Sequence, residues 1–269
     1  MTQDWLTLDR ADAPLVVSFP HAGTDIPAEL QPRYASLWHA RRDADWWVDK
    51  LYDFAHAMGA TTVRTSVSRS VIDVNRDPSG ASLYPGQATT QLCPTTDFDG
   101  APLYRDGQAP DAAEIARRRE TYFAPYHAAL RAELGRLRTL HPRVVLFDAH
   151  SIRSRIPRLF DGELPQFNIG TNSGRSCADA LSDAVERECA GSHVVDGRFK
   201  GGWTTRHYGV PELGFHAIQL ELSCRGYMDE VDAPSPDNWP TPYSEARAAK
   251  MRATLRQILE ACLSFARAG

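Results

Sequence analysis

No stretch of this chain approaches the roughly 18 consecutive apolar residues that crossing a bilayer requires. Cysteine is sparse and unpatterned. The five residues, at 93, 177, 189, 224 and 262, are odd in number, scattered and without a C-x-x-C pair. That argues against a disulfide framework and fits reduced thiols in the cytoplasm. An excess of one charge is also missing. Lys and Arg number 30 against 34 Asp and Glu, a net charge of -4, so neither a basic field for nucleic acid nor a strongly acidic face is expected. Met1-Thr2-Gln3-Asp4 begins with an acid and lacks the cationic-then-apolar order of a secretion signal. No self-similarity recurs at the period of about 20 to 50 residues that marks repeat folds. What remains is ordinary globular composition, 42% hydrophobic and 24% charged, over 269 residues. One domain spanning 1–269, with a sizeable core and a small molecule as partner, is the expectation.

Three apolar runs end in polar chemistry. Val144-Val145-Leu146-Phe147 stops at Asp148-Ala149-His150-Ser151, Leu15–Phe19 runs into Pro20-His21, and Ala217-Ile218-Gln219-Leu220 runs into Glu221. Short apolar runs of this kind read as strands buried on both faces, and ligands of open α/β sheets sit outside the carboxyl ends of such strands. Further strands are expected at Thr61–Thr65, 70–74, 166–170 and 194–195. Val48, Leu51, Ala55 and Met58 lie three or four apart, one face of a helix, with Gly59 as its stop. A long helix carries Ile115, Tyr122, Tyr126, Leu130, Leu134 and Leu137, with Pro125 as a kink or break. Helices also read at 177–189 and through Met251, Leu255, Ile258, Leu259 and Cys262. Long loops fill 78–110, 153–165 and the Gly-rich 198–209. The alternation predicts an α/β fold, a single domain whose mixed central sheet has helices on both faces.

His21 and His150, each directly after a buried strand, are the leading metal ligands. Asp45 or Asp43 would supply the carboxylate, and Asp25 is an outside choice. Helix capping competes with ligation for the two aspartates. Glu221 sits among apolar neighbours, where burial raises a carboxyl pKa and suits a catalytic base; a buried ion pair is the plainer alternative. Asn75 and Arg76 end a predicted strand at the same side of the sheet, and Arg76 could fork a substrate carboxylate. Arg69, Arg153 and Arg206 lie in other loops at this end and would suit a second carboxylate. Nothing around Cys224 lowers its pKa, so it reads as a structural thiol.

These residues fall in blocks that resemble one family. The blocks are Ser18-Phe19-Pro20-His21-Ala22-Gly23, Asp43-Ala44-Asp45-Trp46, Ser68-Arg69-Ser70-Val71-Ile72-Asp73-Val74-Asn75-Arg76-Asp77-Pro78 and Leu83-Tyr84-Pro85-Gly86-Gln87. They continue with Pro125-Tyr126-His127, Asp148-Ala149-His150-Ser151-Ile152-Arg153, Arg198-Phe199-Lys200-Gly201-Gly202 and Thr205-Arg206-His207-Tyr208-Gly209. In this order they are similar to the N-formylglutamate amidohydrolases (deformylases) of histidine degradation, over about 14 to 228. The resemblance implies a zinc-carboxypeptidase-like (phosphorylase/hydrolase-like) fold. It also implies Zn2+ on two histidines and an acid, an Asn-Arg grip on a substrate carboxylate and a strand-end glutamate base. His21, His150, Asn75, Arg76 and Glu221 match that pattern. Thr24 departs from it, because the His-x-x-Glu ligand pair of the carboxypeptidases is missing; the acid must come from Asp45 or Asp43. Cobalt, manganese or iron would suit the same donors. Hydrolysis of another N-acyl amino acid or small peptide, and a non-catalytic dicarboxylate-binding module, are the rival expectations.

Overall fold

A computed structural model describes residues 4–83, 86 and 89–268; Tyr84, Pro85 and Gln87 of the quoted 83–87 block lie outside the described residues. In chain order the elements are β1 (Leu6–Asp9), β2 (Leu15–Phe19), α1 (Leu37–Arg42), α2 (Val48–Leu51), β3 (Thr61–Thr65), α3 (Ala112–Arg118), α4 (Ala124–Leu140), β4 (Val144–Ile152), β5 (Phe167–Gly170), α5 (Asp179–Glu188), β6 (His193–Val195), α6 (Trp203–Tyr208), β7 (Phe215–Ser223) and α7 (Glu245–Arg267). The strands form one mixed sheet in the order β1-β3-β2-β4-β7-β5-β6. β3, β2, β4 and β7 are parallel to one another, while β1 and β5 join β3 and β7 antiparallel. This is the single α/β fold with helices on both faces that the alternation implied.

The two faces of the sheet differ in kind. Leu15, Val17, Val145, Phe147, Ile218 and Leu220 point to one side, where α2, α5 and α7 cover them. The opposite side begins apolar, with Val16, Val144, Leu146 and Ala217 packed towards α4. Further along the same strands it turns polar: Ser18, Asp148, His150, Gln219 and Glu221 alternate with the apolar residues and are all buried. Strand periodicity of two thus stacks every candidate group of β4 and β7 on one face. β4 does not stop at Phe147 as the apolar run suggested. It continues to Ile152, with His150 opposite Glu221 and Asp148 opposite Gln219.

Several local expectations change. The helix expected over 48–58 is only the four residues of α2, followed by turns and a 3-10 turn at His56–Met58. Trp47 enters it at φ 63°, a left-handed backbone, and Gly59 closes it at φ 86°. The stretch 70–74 is not a strand: Val71 N bonds Ser68 O and Asp73 N bonds Leu92 O, so the chain folds into buried turns. Its β-branched residues serve the core beneath α4 instead. β1, α1 and α6 are additions; α6 lies in what read as an irregular Gly-rich loop. Around Pro125 the helical run does not break into two separate pieces. A π turn at Arg119–Phe123 joins α3 to α4, with the proline in the first turn of α4, where its missing N–H is tolerated.

The irregular segment 66–111 is held from below by Arg118, whose side chain is fully buried. Its guanidinium donates to Val71 O and Tyr104 Oη, both at 2.9 Å, and to Glu114 Oε1 at 2.7 Å. Hydrogen bonds from Arg117 and Arg118 draw the Glu114 carboxyl down to about 2. Folding therefore gains from this acid fully above its ordinary pKa and loses the gain as pH falls towards the folded value. Replacing Glu114 by Ala leaves a buried guanidinium without its carboxylate. The expected loss is about 3 kcal/mol, the low end for such a stranded charge because Val71 O and Tyr104 remain. Urea unfolding near pH 7 checks this, and the difference from wild type should shrink as the solution is acidified.

Candidate active site

Four separate pieces of chain meet at the C-terminal ends of β2, β4 and β7. His21 follows β2, Asp45 comes from the turn between α1 and α2, Asp73 and Asn75 from the buried turns after β3, and His150 from β4 itself. Ligand atoms of His21, Asp45 and His150 all lie within 4.8 Å of one another, and all three residues are buried. Asp45 Oδ2 is 3.1 Å from His150 Nδ1 and 3.8 Å from His21 Nδ1. The far nitrogens are each held by another acid: His21 Nε2 lies 2.6 Å from Asp73 Oδ1, and His150 Nε2 lies 3.0 Å from Asp148 Oδ2. Each ring thus turns Nδ1 towards Asp45 and Nε2 towards a carboxylate.

Asp45, Asp73, Asp148 and Glu221 face Arg69, Arg76 and the two imidazoles. Burial and the Arg69 charge lower the His21 pKa to about 4 against the pull of Asp73. A neutral His21 that donates from Nε2 presents a lone pair at Nδ1, and that buried atom has no hydrogen-bond partner. Burial opposes charge on His150 as well, but Asp148 and Asp45 outweigh it and hold its pKa well above the usual imidazole value. Two nitrogens and a carboxylate oxygen converging on one point, beside an orphaned lone pair, form a donor set that suits a divalent cation. The residues present therefore fit such an ion.

Glu221 stands beside this cluster on β7. Burial raises its pKa to about 7, only partly countered by His150, and Gln219 Nε2 donates to its Oε2 at 3.2 Å. No arginine lies within ion-pair distance of Glu221 among the described residues, so the plain ion-pair alternative does not describe it.

The remaining candidates separate. Asp43 lies outside the cluster: its Oδ2 accepts from Phe98 N at 2.6 Å, its Oδ1 lies 3.6 Å from Arg153, and burial raises its pKa to about 6. Neither aspartate caps α2, whose N-cap is Trp47; Asp43 instead ends α1. Asp25 is exposed and also outside the cluster. Arg69 and Arg76 line the cavity in front of the cluster, which holds about 60 Å³. Arg69 reaches Asp45 at 3.4 Å and Asp73 at 2.9 Å, while Arg76 donates to Thr90 O, Thr90 Oγ1 and Asn75 O. Arg153 is drawn away to Asp99 at 2.7 Å, and Arg206 donates from Nε to Gly201 O; neither lines the cavity. Asn75 lines it, yet its amide is engaged inward. Nδ2 reaches Asp148 Oδ2 at 3.0 Å, and Oδ1 accepts from Thr204 N, in the first turn of α6, at 2.8 Å.

Asp73, Asp148, Gln219 and Arg198 were not singled out by residue spacing. Asp148 and Gln219 could have been found by carrying the strand alternation back from His150 and Glu221. Asp73 could not, because its stretch folds as turns. The fit of Asn75 against α6 depends on Gly202, where a Cβ would collide with the Asn75 amide. Gly202→Ala should lower the unfolding free energy by about 1–3 kcal/mol, the usual cost of overpacking. Gly135→Ala, with open space around it inside α4, should instead raise it by up to about 1 kcal/mol. Equilibrium unfolding of the two variants reads both signs.

A family profile described as N-formylglutamate amidohydrolase matches residues 13–228. An N-formylglutamate deformylase of Pseudomonas aeruginosa is 45% identical over 266 residues, covering 97% of each chain. One of Pseudomonas putida is 43% identical and covers 97% of this chain and 96% of its own. Among solved structures, an N-formylglutamate amidohydrolase from Ralstonia eutropha JMP134 is 25% identical, covers 95% of this chain and 96% of its own, and superposes with a TM-score of 0.77. A family profile that runs from before β2 to beyond β7, and a relative that is nearly half identical from end to end, place this chain in the N-formylglutamate amidohydrolase family.

Proposed function

We propose that the protein is a zinc-dependent hydrolase that cleaves N-formyl-L-glutamate to formate and L-glutamate, a step of histidine degradation. The observation that carries the reading is the convergence of His21, Asp45 and His150 beside a buried, proton-rich Glu221, in a chain so similar to two Pseudomonas proteins named as deformylases. His21 and His150 would hold the ion through Nδ1 and Asp45 through Oδ2, with Asp73 and Asp148 fixing the rings from behind. When bound, such an ion supplies Lewis acidity to the formyl oxygen and acidifies a water.

The side chains of this chain perform the rest. Glu221 takes a proton from the attacking water as the C–O bond forms at the formyl carbon. It returns that proton to the amide nitrogen as the C–N bond breaks, releasing formate and the free amine of glutamate. Its raised pKa makes both transfers accessible near neutral pH. Arg69 Nε is buried without a hydrogen-bond partner and lines the cavity, so it is the donor available to the developing oxyanion. A donor of this type contributes on the order of 3 kcal/mol. Arg76 holds a substrate carboxylate, and Asn75 keeps the His150–Asp148 pair and α6 in register.

Two outcomes test this. Glu221→Gln keeps the shape of the site and removes the proton carrier. It should retain bound metal by elemental analysis while formate release falls by at least about 100-fold, the lower range for general acid–base catalysis. Wild-type turnover in that variant would remove Glu221 from the mechanism. Asp45→Ala should abolish stoichiometric zinc uptake in equilibrium dialysis, whereas Asp43→Ala should preserve it. A chelator-treated wild type that still binds dicarboxylates, but never released formate with zinc present, would support the binding-module reading instead.

A further inference from the structure

The cavity has a third cation, Arg198, that lies across the sheet from Arg69 and Arg76. Arg76 enters from the turns after β3, on one side of β2, β4 and β7. Arg198 enters from the loop after β6, at the other end of the strand order. His150 and Glu221 stand between them on the central strands.

The loop that carries Arg198 is firmly built. Asp196 N donates to Ile169 O at 2.8 Å and Thr171 N to Asp196 Oδ1 at 2.8 Å. Asn172 N donates to Lys200 O at 2.7 Å, and Gly202 N to Gln219 Oε1 at 2.8 Å. Arg198 itself donates from Nε to Leu159 O at 2.8 Å, and its guanidinium lies 5.3 Å over the Phe199 ring. Leu159, Phe199 and Ile152 line the cavity around it, part of an apolar cluster with Phe98 and Ile156. An apolar wall that ends in a guanidinium matches a short methylene chain that ends in a carboxylate.

We propose that Arg198 is the specificity-determining residue for the distal carboxylate: the Ile152–Leu159–Phe199 wall takes the two methylenes of the substrate side chain and Arg198 takes its γ-carboxylate, while Arg76 takes the α-carboxylate. This rests on the hydrolase reading and assigns to Arg198 the role that spacing alone had offered to Arg69, Arg153 and Arg206. Arg69 is engaged by two buried acids, and the other two lie outside the cavity.

The test compares N-formyl-L-glutamate with N-formyl-L-norvaline, whose side chain has the same length and no γ-carboxylate. Arg198→Met should lower the ratio of kcat/KM values for the two substrates by about 10- to 100-fold, mainly through KM for the glutamate, the factor that one charge-assisted contact carries. Arg198→Lys should restore part of the ratio. Arg76→Met should lower both substrates together, since both keep the α-carboxylate. An unchanged ratio in Arg198→Met, or a ratio lost only in Arg76→Met, overturns the assignment. Calorimetric binding of glutarate against butyrate reads the same subsite without turnover. If the wild type hydrolyses neither formyl compound, the hydrolase reading fails on its own. A glutarate preference lost in Arg198→Met then still upholds the subsite, and no such preference in the wild type rejects it.

Discussion

Parallel strands buried on both faces are normally apolar throughout, because each unpaired polar group in such a place costs several kcal/mol. This sheet keeps that rule along most of its length and breaks it at one end. Ser18, Asp148, His150, Gln219 and Glu221 are all buried on a single face of β2, β4 and β7. Much of the surrounding architecture is a response to that violation. Tyr126 on α4 bonds Ser18, Ser18 bonds Asp148, and Asn75 bonds Asp148 while accepting from the first turn of α6. Gln219 joins Glu221 to the Gly201-Gly202 backbone. Elements distant in sequence are therefore tied together by the polar face they must satisfy.

The two imidazoles illustrate how position alone separates like residues. Both are buried and both are backed by a carboxylate on Nε2, yet their proton affinities shift in opposite directions. His21 shares Asp73 with Arg69, whose charge works against protonation. His150 sits directly between Asp148 and Asp45. Asp45 is the common neighbour and couples the pair. The unpartnered Nδ1 of His21 beside that shared carboxylate is the physical content of the cluster's fit to a metal.

How far this was legible from residues alone depends on the range of the interactions. His150 and Glu221, each where a buried apolar run ends, could be read from the chain, as could the sheet and its flanking helices. Asp43 and Asp45 could not be told apart, because both lie before the same apolar spacing. What separates them is tertiary: Asp45 N bonds His21 O beside the cluster, while Asp43 Oδ2 accepts from Phe98 N outside it. The 70–74 stretch has strand-like residues but no edge to pair with, since the β3 neighbours are β1 and β2. Arginines were the hardest to place. Ion pairs with acids far away in sequence decide which guanidiniums remain in the cavity: Asp99 draws Arg153 away, and nothing near Arg153 in the chain signals it.

Two glutamates show the same physics working in opposite directions. Glu114 receives guanidinium hydrogen bonds at the rim of the core, so folding lowers its pKa and gains from its charge. Glu221 is enclosed among the acids and imidazoles of the cluster, so folding raises its pKa and favours its protonated form. A raised acid stabilises the fold fully below its ordinary pKa, and the contribution disappears as pH climbs through the folded value. Near neutrality Glu114 is then a net support, while the contribution of Glu221 is being lost. The chain places the support under the turns that carry Asp73 and Asn75, through Arg118 and Val71. An ion pair beneath the cluster thus anchors, from the opposite side, the turns that pack around it.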